Sequence, residues 1–298
     1  MTDDITIQEG HVYGGWRRAV NAGLKSDNIH SDDVAKKAGF RGGAVVGVVH
    51  LNLFPPLLLK TFGRRWFEQG SLSIYYTYAL VDGEQVRGVM AQPPEGVKDA
   101  QVEAWAETPE GQPVGKGTAS VGEPGEISYL QSLELKNAEP AELRILAGVK
   151  AGDELPSRDV LITQDTVNRT LGTITDSLNW YRSDSPWGGA IVPPSVMSSA
   201  MVLNLDPIPK AVQFYGATEL RNVNGPIKVG LPYRATGKVK CVDAGGKTEL
   251  YWLDSFLDDM DGKRIAEMRL MYRYMKSSSR LYNPEAEERE YDQAQNLR

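Results

Sequence analysis

The chain has 298 residues, 41% hydrophobic and 24% charged, which is enough apolar material for two cores of ordinary size and too much for a disordered polymer. Its formal charge of −6 excludes a general nucleic-acid surface, which needs concentrated Lys and Arg. The single cysteine, Cys241, excludes an intramolecular disulfide and any zinc site built from several thiolates.

The N-terminus, MTDDITIQEG, is acidic and polar where a secretory signal is basic and then apolar, and no apolar run is long enough to span a bilayer. The expected location is cytoplasmic. Val12, Trp16, Val20 and Leu24 recur at helical spacing and predict an opening helix, with His11 on its surface. KSDNIHSDD then leaves the helix, and DDVAKKAGF reads as a short helix that Gly39 can end. GGAVVG leads into VVGVVHLNLFPPLLLKTF, a buried helix by length that Pro55 and Pro56 must break near Phe54. Four strands follow: SLSIYYTYALV, EQVRGVMAQ, QVEAWAET and VGKGTASV.

Residues 123–150 have no counterpart elsewhere and read as a linker long enough to cross a domain. Beyond it the grammar repeats. Thr163 can cap a helix carrying Val167, Leu171, Ile174 and Leu178 on one face. GGAIVP leads into VPPSVMSSAMVLNL, and four more strands end at RIAEMRLMYRYM. FRGGAVV (40–46) aligns with PWGGAIV (186–192), 146 residues later, and Gly83-x-x-Val86-Arg87 aligns with Gly230-x-x-Tyr233-Arg234. A period near 150 means duplicated domains, each with an apolar helix laid across an antiparallel sheet. The expected organisation is a first unit over 1–122, the linker over 123–150, a second unit over 151–277 and a polar, solvated tail over 278–298.

DNIHSDDVAKKAGFRGGAVVG resembles the hydratase-2 motif of the MaoC-like (R)-specific enoyl-CoA hydratases and dehydratases, and DSLNWYRSDSPWGGAIVPPSVM resembles the degenerate partner half of their two-unit members. The resemblance spans about residues 5 to 276 and implies an α+β double hot-dog, two antiparallel sheets each wrapped on a central helix and packed side by side. It also implies a hydro-lyase that hydrates a 2-enoyl thioester, with coenzyme A as carrier, or dehydrates a 3-hydroxyacyl thioester. No metal or redox cofactor is implied, only a small-molecule thioester substrate with no nucleic acid or membrane partner, and a monomer or homodimer. The fold also serves thioesterases, so an acyl-CoA thioesterase, a lyase or cyclase acting on a non-CoA metabolite, and a non-catalytic acyl-binding protein stay open.

Hydration needs a base for water and donors for the thioester oxygen. His30 occupies the position of the family's catalytic histidine, although a loop histidine can also serve only to hold its loop. Gly47, and with it Val48, maps to the backbone donor at the helix start, where N–H groups lack internal acceptors; the glycines could equally serve close packing. The family aspartate lies five residues before the histidine, and Lys25 stands there. Asp27 is the nearest replacement, and Asp32 matches an acidic position of structural character. In the second unit Tyr181 stands at the histidine position and Asp176 at that of the aspartate, so this half reads as one that lost its site. Tyr181, Trp180 and Trp187 are then candidates to line an acyl pocket, with ordinary core packing as the alternative. His50 reads as a core histidine or as one facing the cleft, and Arg41, Lys60, Arg64 and Arg65 are candidate contacts for substrate or CoA phosphates that plain solvation would also explain.

Overall fold

A computed structural model describes residues 4–22, 28–173, 176, 178–205 and 208–286. Asp27 and Lys25 lie outside the described residues, as do Leu24, Ile174 and the tail beyond 286.

The opening helix expected over 12–24 is absent from the described residues of that stretch. Strands β1 (Thr6–Gln8), β2 (His11–Tyr13) and β3 (Arg17–Arg18) stand there instead. Gly14 and Gly15 interrupt any helix, and Gly14 N–H donates to Gly88 O (2.9 Å), tying the segment to a later strand. His11 is accordingly part of the sheet, its ring edge-on to Trp105 at 5.3 Å. Helix α1 (Asp32–Lys37) forms as expected and gives way to Gly39 in a left-handed conformation (φ 86°).

The predicted buried helix is two pieces. A 3-10 helix, Gly47–Leu53, ends where Pro55 withholds the N–H that would continue it, and α2 (Pro55–Phe62) restarts with prolines at its first positions. Helix α3 (Arg65–Gln69) follows, then β4 (Gly70–Tyr76), β5 (Gln85–Ala91), β6 (Ala100–Glu107) and β7 (Pro113–Val121). The second half adds a strand that its polar sequence hides, β8 (Glu154–Leu161), before α4 (Gln164–Thr170) and α5 (Pro194–Met201). Thr163 caps α4 by accepting from Thr166 N–H, but the helix stops at Thr170, more than two turns short of Leu178. Strands β9 (Gln213–Asn222), β10 (Pro232–Ala244), β11 (Thr248–Asp259) and β12 (Arg264–Met275) complete the second half, with β9 pairing β12 and not β10.

The two halves share one antiparallel sheet, ordered β1-β2-β5-β6-β7-β4-β9-β12-β11-β10-β8, with β3 on β5. The joint is the β4–β9 ladder, from Ser71 opposite Arg221 to Tyr75 opposite Ala217. The 3-10 helix, the start of α2 and α5 meet on one face, burying Leu51, Phe54, Leu57, Met197 and Met201 against Leu72, Ile74 and Leu220. The linker crosses the other face and seats Leu130 among Ala217, Cys241, Trp252 and Met271. Buried Glu249 fastens its far end by accepting from the N–H groups of Arg144, Ile145 and Leu146. Part of the expected solvated tail is also packed, since Ser279 is buried and Tyr282 donates to Glu249 (2.6 Å).

The repeat is regular at a spacing one residue longer than the glycine phrases imply. Ala44 bridges Val81 and Ile191 bridges Lys228, while left-handed turns fall at Gly83 and Gly230, each pair 147 residues apart (44 to 191, 81 to 228, 83 to 230). Ala44 N–H donates to Ile29 O and Ile191 N–H to Trp180 O, so His30 corresponds to Tyr181, and Gly47 to Pro194.

Candidate active site

A cleft of about 500 Å³ opens beside the start of the 3-10 helix. The first half supplies His30, Gly47, His50 and the end of β4; the second supplies the start of β9 and the end of β12. The chain therefore completes this cleft from its own two halves.

His30 is held from both sides. Its backbone N–H donates to Asn28 Oδ1 (2.9 Å), and ring Nδ1 lies 2.6 Å from Ala44 O. A carbonyl can only accept, so Nδ1 carries the proton and Nε2 keeps the lone pair when the ring is neutral. Burial pushes the imidazole below its ordinary 6.5, and the bond to Ala44 O only partly offsets this. Gly43 makes the loop possible, because a Cβ there would lie 2.2 Å from His30 O. Asp32 accepts from Gly43 N–H (2.8 Å) and pairs with Lys36, a role in the loop and outside the cleft lining.

At the helix start the first internal bond runs from Val49 N–H to Val46 O (3.0 Å), which leaves Gly47 and Val48 with no acceptor inside the helix. Gly47 lines the cleft; Val48 turns into the core. A Cβ on Gly47 would come within 3.0 Å of the Tyr76 ring, so the glycine lets this tyrosine lie against the helix. His50 is buried with Nδ1 2.9 Å from Gly47 O, and burial lowers its pKa despite that contact. His50 Nε2 and the hydroxyls of Tyr76 and Tyr272 are buried with no hydrogen-bond partner among the described residues. Tyr76 neighbours Thr218 and Tyr272 neighbours Tyr215, but neither pair of hydroxyls meets in hydrogen-bond geometry. Burial raises the phenols of Tyr76, Tyr215 and Tyr272, which stay neutral donors. Each orphaned buried group costs on the order of 1–3 kcal/mol, a cost that a polar ligand would relieve.

Other expected site residues stand elsewhere. Arg41 is closed by Glu84, Nη1 to Oε1 at 2.8 Å and Nη2 to Oε2 at 3.0 Å, with its guanidinium over Tyr78. Lys60 and Arg64 are exposed away from the cleft, and Arg65 pairs with Asp99. Tyr181 and Trp187 do not reach the cleft. Tyr181 is buried in its own half and donates to Asp176 Oδ2 (2.9 Å), which takes Asp176 away from His30. Trp180, Trp187 and Phe67 pack ring against ring with centroids 5.4–5.6 Å apart, and Trp187 Nε1 donates to Glu68 (2.8 Å). Trp180 and Trp187 of this aromatic cluster stand where Ile29 and Phe40 line the cleft of the first half.

The cleft also uses residues that spacing alone did not single out: Tyr75, Tyr76, Gln213, Tyr215, Tyr272 and Arg273. The available signal was a strand written IYYTY, with aromatic residues on both faces at its end, and an arginine in the otherwise apolar LMYRYM.

No known family's sequence model matches the chain, and no curated protein sequence matches it. Solved structures do. A MaoC-like dehydratase aligns over 89% of this chain and 98% of its own at 14% identity, with a TM-score of 0.50. A MaoC-domain protein of Chloroflexus aurantiacus aligns over 88% of this chain and 93% of its own at 9% identity, with a TM-score of 0.53. A conserved hypothetical protein of Mycobacterium tuberculosis, described as having a double hotdog fold, aligns over 92% and 97% at 10% identity, with a TM-score of 0.55. At such identities the likeness is one of fold, and the chain has the double hot-dog fold seen in these proteins.

Proposed function

We propose that the chain is a MaoC-like hydro-lyase that adds water across a 2-enoyl thioester, or removes it from a 3-hydroxyacyl thioester, in the cleft of the first half. The observation that carries this reading is the convergence of His30 and Gly47 on one cleft. In the hydration direction, neutral His30 accepts a proton at Nε2 from water as its oxygen attacks the β-carbon. Electron density moves onto the thioester oxygen, where the Gly47 N–H donates, and the enolate collapses as the α-carbon takes up a proton. That proton is the one His30 took from water, so one water supplies both the hydroxyl and the hydrogen; Asp27 is the proposed carboxylate partner that holds the water and relays the proton from His30. Dehydration runs the same steps backwards. No resident cofactor is part of the proposal, and the carrier is coenzyme A or an equivalent thiol.

The test follows loss of the enoyl thioester absorbance of crotonyl-CoA and of its four-carbon dicarboxylic analogue. His30→Ala is expected to lower kcat/KM by about 10²–10⁴-fold. Equal rates for wild type and variant, or no turnover of either compound, would overturn the reading. Release of free CoA thiol from saturated acyl-CoA at an appreciable rate would replace it with thioester hydrolysis.

A further inference from the structure

Among the residues lining the cleft, Arg273 alone carries a permanent charge. No Asp, Glu or Lys lines it, and burial lowers the pKa of both histidines. Other partly buried arginines of the sheet are closed by carboxylates: Arg87 by Glu107, Arg264 by Asp258 and Arg269 by Asp254. Arg273 has no such partner among the described residues. One Nη donates to Tyr75 Oη (2.6 Å), which leaves most of its planar fork uncommitted.

The backbone is shaped around this side chain. The β9–β12 register skips Gly216, passing from Ala217 opposite Met271 to Tyr215 opposite Tyr272. A Cβ on Gly216 would lie 2.2 Å from Met271 Cε and 2.7 Å from Arg273 Nε, so the bulged glycine clears the strip that both side chains cross. Tyr75 packs with the cluster on the linker side, while Tyr76 lies against Gly47 and His50 on the helix side. Tyr75 opposite Ala217 is the last pair of the β4–β9 ladder. The cleft thus passes between these strands where their pairing ends, with His30 and Gly47 at the helix side and Arg273 at the other.

We infer that Arg273 binds a carboxylate at the far end of the acyl group, so that the preferred substrate is the thioester of a short dicarboxylic acid. A planar fork on a single arginine matches one carboxylate in two parallel hydrogen bonds. The diphosphate and phosphate of coenzyme A would call for several cations, and Lys60, Arg64 and Arg65 all stand outside this cleft. The buried unpaired polar atoms of His50, Tyr76 and Tyr272 likewise suit an oxygenated acyl group better than an alkyl chain. The inference rests on the hydro-lyase reading for the thioester end of the ligand.

Unreactive saturated thioesters separate the two claims. Titration calorimetry of the full chain is expected to give succinyl-CoA an affinity about 10- to 100-fold above butyryl-CoA. In Arg273→Gln the difference should fall to about twofold or less, with butyryl-CoA bound as in wild type, which also reports that the variant folds. Arg273→Lys should keep part of the preference. Equal affinity of the wild type for both compounds, or binding of neither, would overturn the inference even if crotonyl-CoA is hydrated. Equal weakening of both in Arg273→Gln would assign Arg273 to the carrier's phosphates and overturn it too. A preserved succinyl preference with no hydration of any enoyl thioester would sink the hydro-lyase reading and leave the carboxylate site standing.

Discussion

The two helix starts share one backbone frame and differ in what it presents. In both halves a loop carbonyl receives an N–H from the glycine phrase, at Ile29 and at Trp180, and the residue after that carbonyl is His30 in the first half and Tyr181 in the second. The first half spans 15 residues between these contacts (29 to 44) and shows an imidazole to the cleft; the second spans 11 (180 to 191) and buries a phenol on Asp176. At the helix start the first half has an N–H at Gly47, and the second has Pro194, which has none. The next N–H of α5 is taken: Ser195 donates it to Asn52 Oδ1 (3.1 Å), while Asn52 Nδ2 donates to Ser195 Oγ (2.8 Å). The second helix start therefore offers no uncommitted N–H at its first two positions.

The strongest way to break this contrast is to write the second half's residue into the first. Gly47→Pro suits the backbone, because Gly47 does not use a left-handed conformation and Val46 is extended (φ −57°, ψ 124°), and its Cβ meets the Tyr76 ring as that of Gly47→Ala does. Losing the N–H should lower kcat for crotonyl-CoA hydration by about 10²–10³-fold. Gly47→Ala keeps the N–H and adds only a contact with Tyr76, so it should cost far less. Equal losses in the two variants would show that packing against Tyr76, and not the donor, is what Gly47 contributes.

The aromatic cluster can be opened from the other side. Trp187→Ala removes one of three mutually packed rings and the bond to Glu68, with an expected loss of about 3 kcal/mol in urea unfolding. Because Trp187 is not part of the cleft, kcat/KM of the folded variant should be unchanged; a large kinetic effect would mean the halves communicate through this cluster. Asn52→Ala orphans buried Ser195 and should cost about 1–3 kcal/mol, again without a matching change in kcat/KM.

Much of this architecture is legible in the sequence because the signals are local. Alternation marked the eight main strands, Pro55 marked the helix break, and the histidine loop with its glycine phrase pointed to one end of the cleft. The misreadings have physical sources. Val12, Trp16 and Val20 match a helical period, yet Trp16 and Val20 are exposed on a segment that glycines turn into strands. The glycine phrases align 146 residues apart by letter, whereas the hydrogen-bond frame repeats at 147, since the second loop reaches the same contact one residue later. Tyr181 and Trp187 read as pocket lining because the loop they occupy corresponds to one that lines a cleft; only packing shows that Phe67 closes theirs. Arg273 was invisible for a different reason. Which face its strand offers depends on the bulge at Gly216 and on where β4 and β9 part, both long-range facts.

The smallest expected effect is a titration of the first half's His30. If His30 acts as a base, kcat/KM needs the neutral ring, and burial holds its pKa below 6.5. The rate should then be flat through pH 7 to 8 and fall about tenfold per pH unit below a midpoint under 6.5. The same depression has a stability consequence of defined sign. Below 6.5 the unfolded chain takes up protons at His30 and His50 that the folded chain refuses, so stability should rise with pH through that window. In His30→Ala part of this slope should disappear, while the part owed to His50 remains. A rate profile with its acid limb above 6.5 would instead mean that a negative group, with Asp27 first in line, raises the imidazole in the working enzyme.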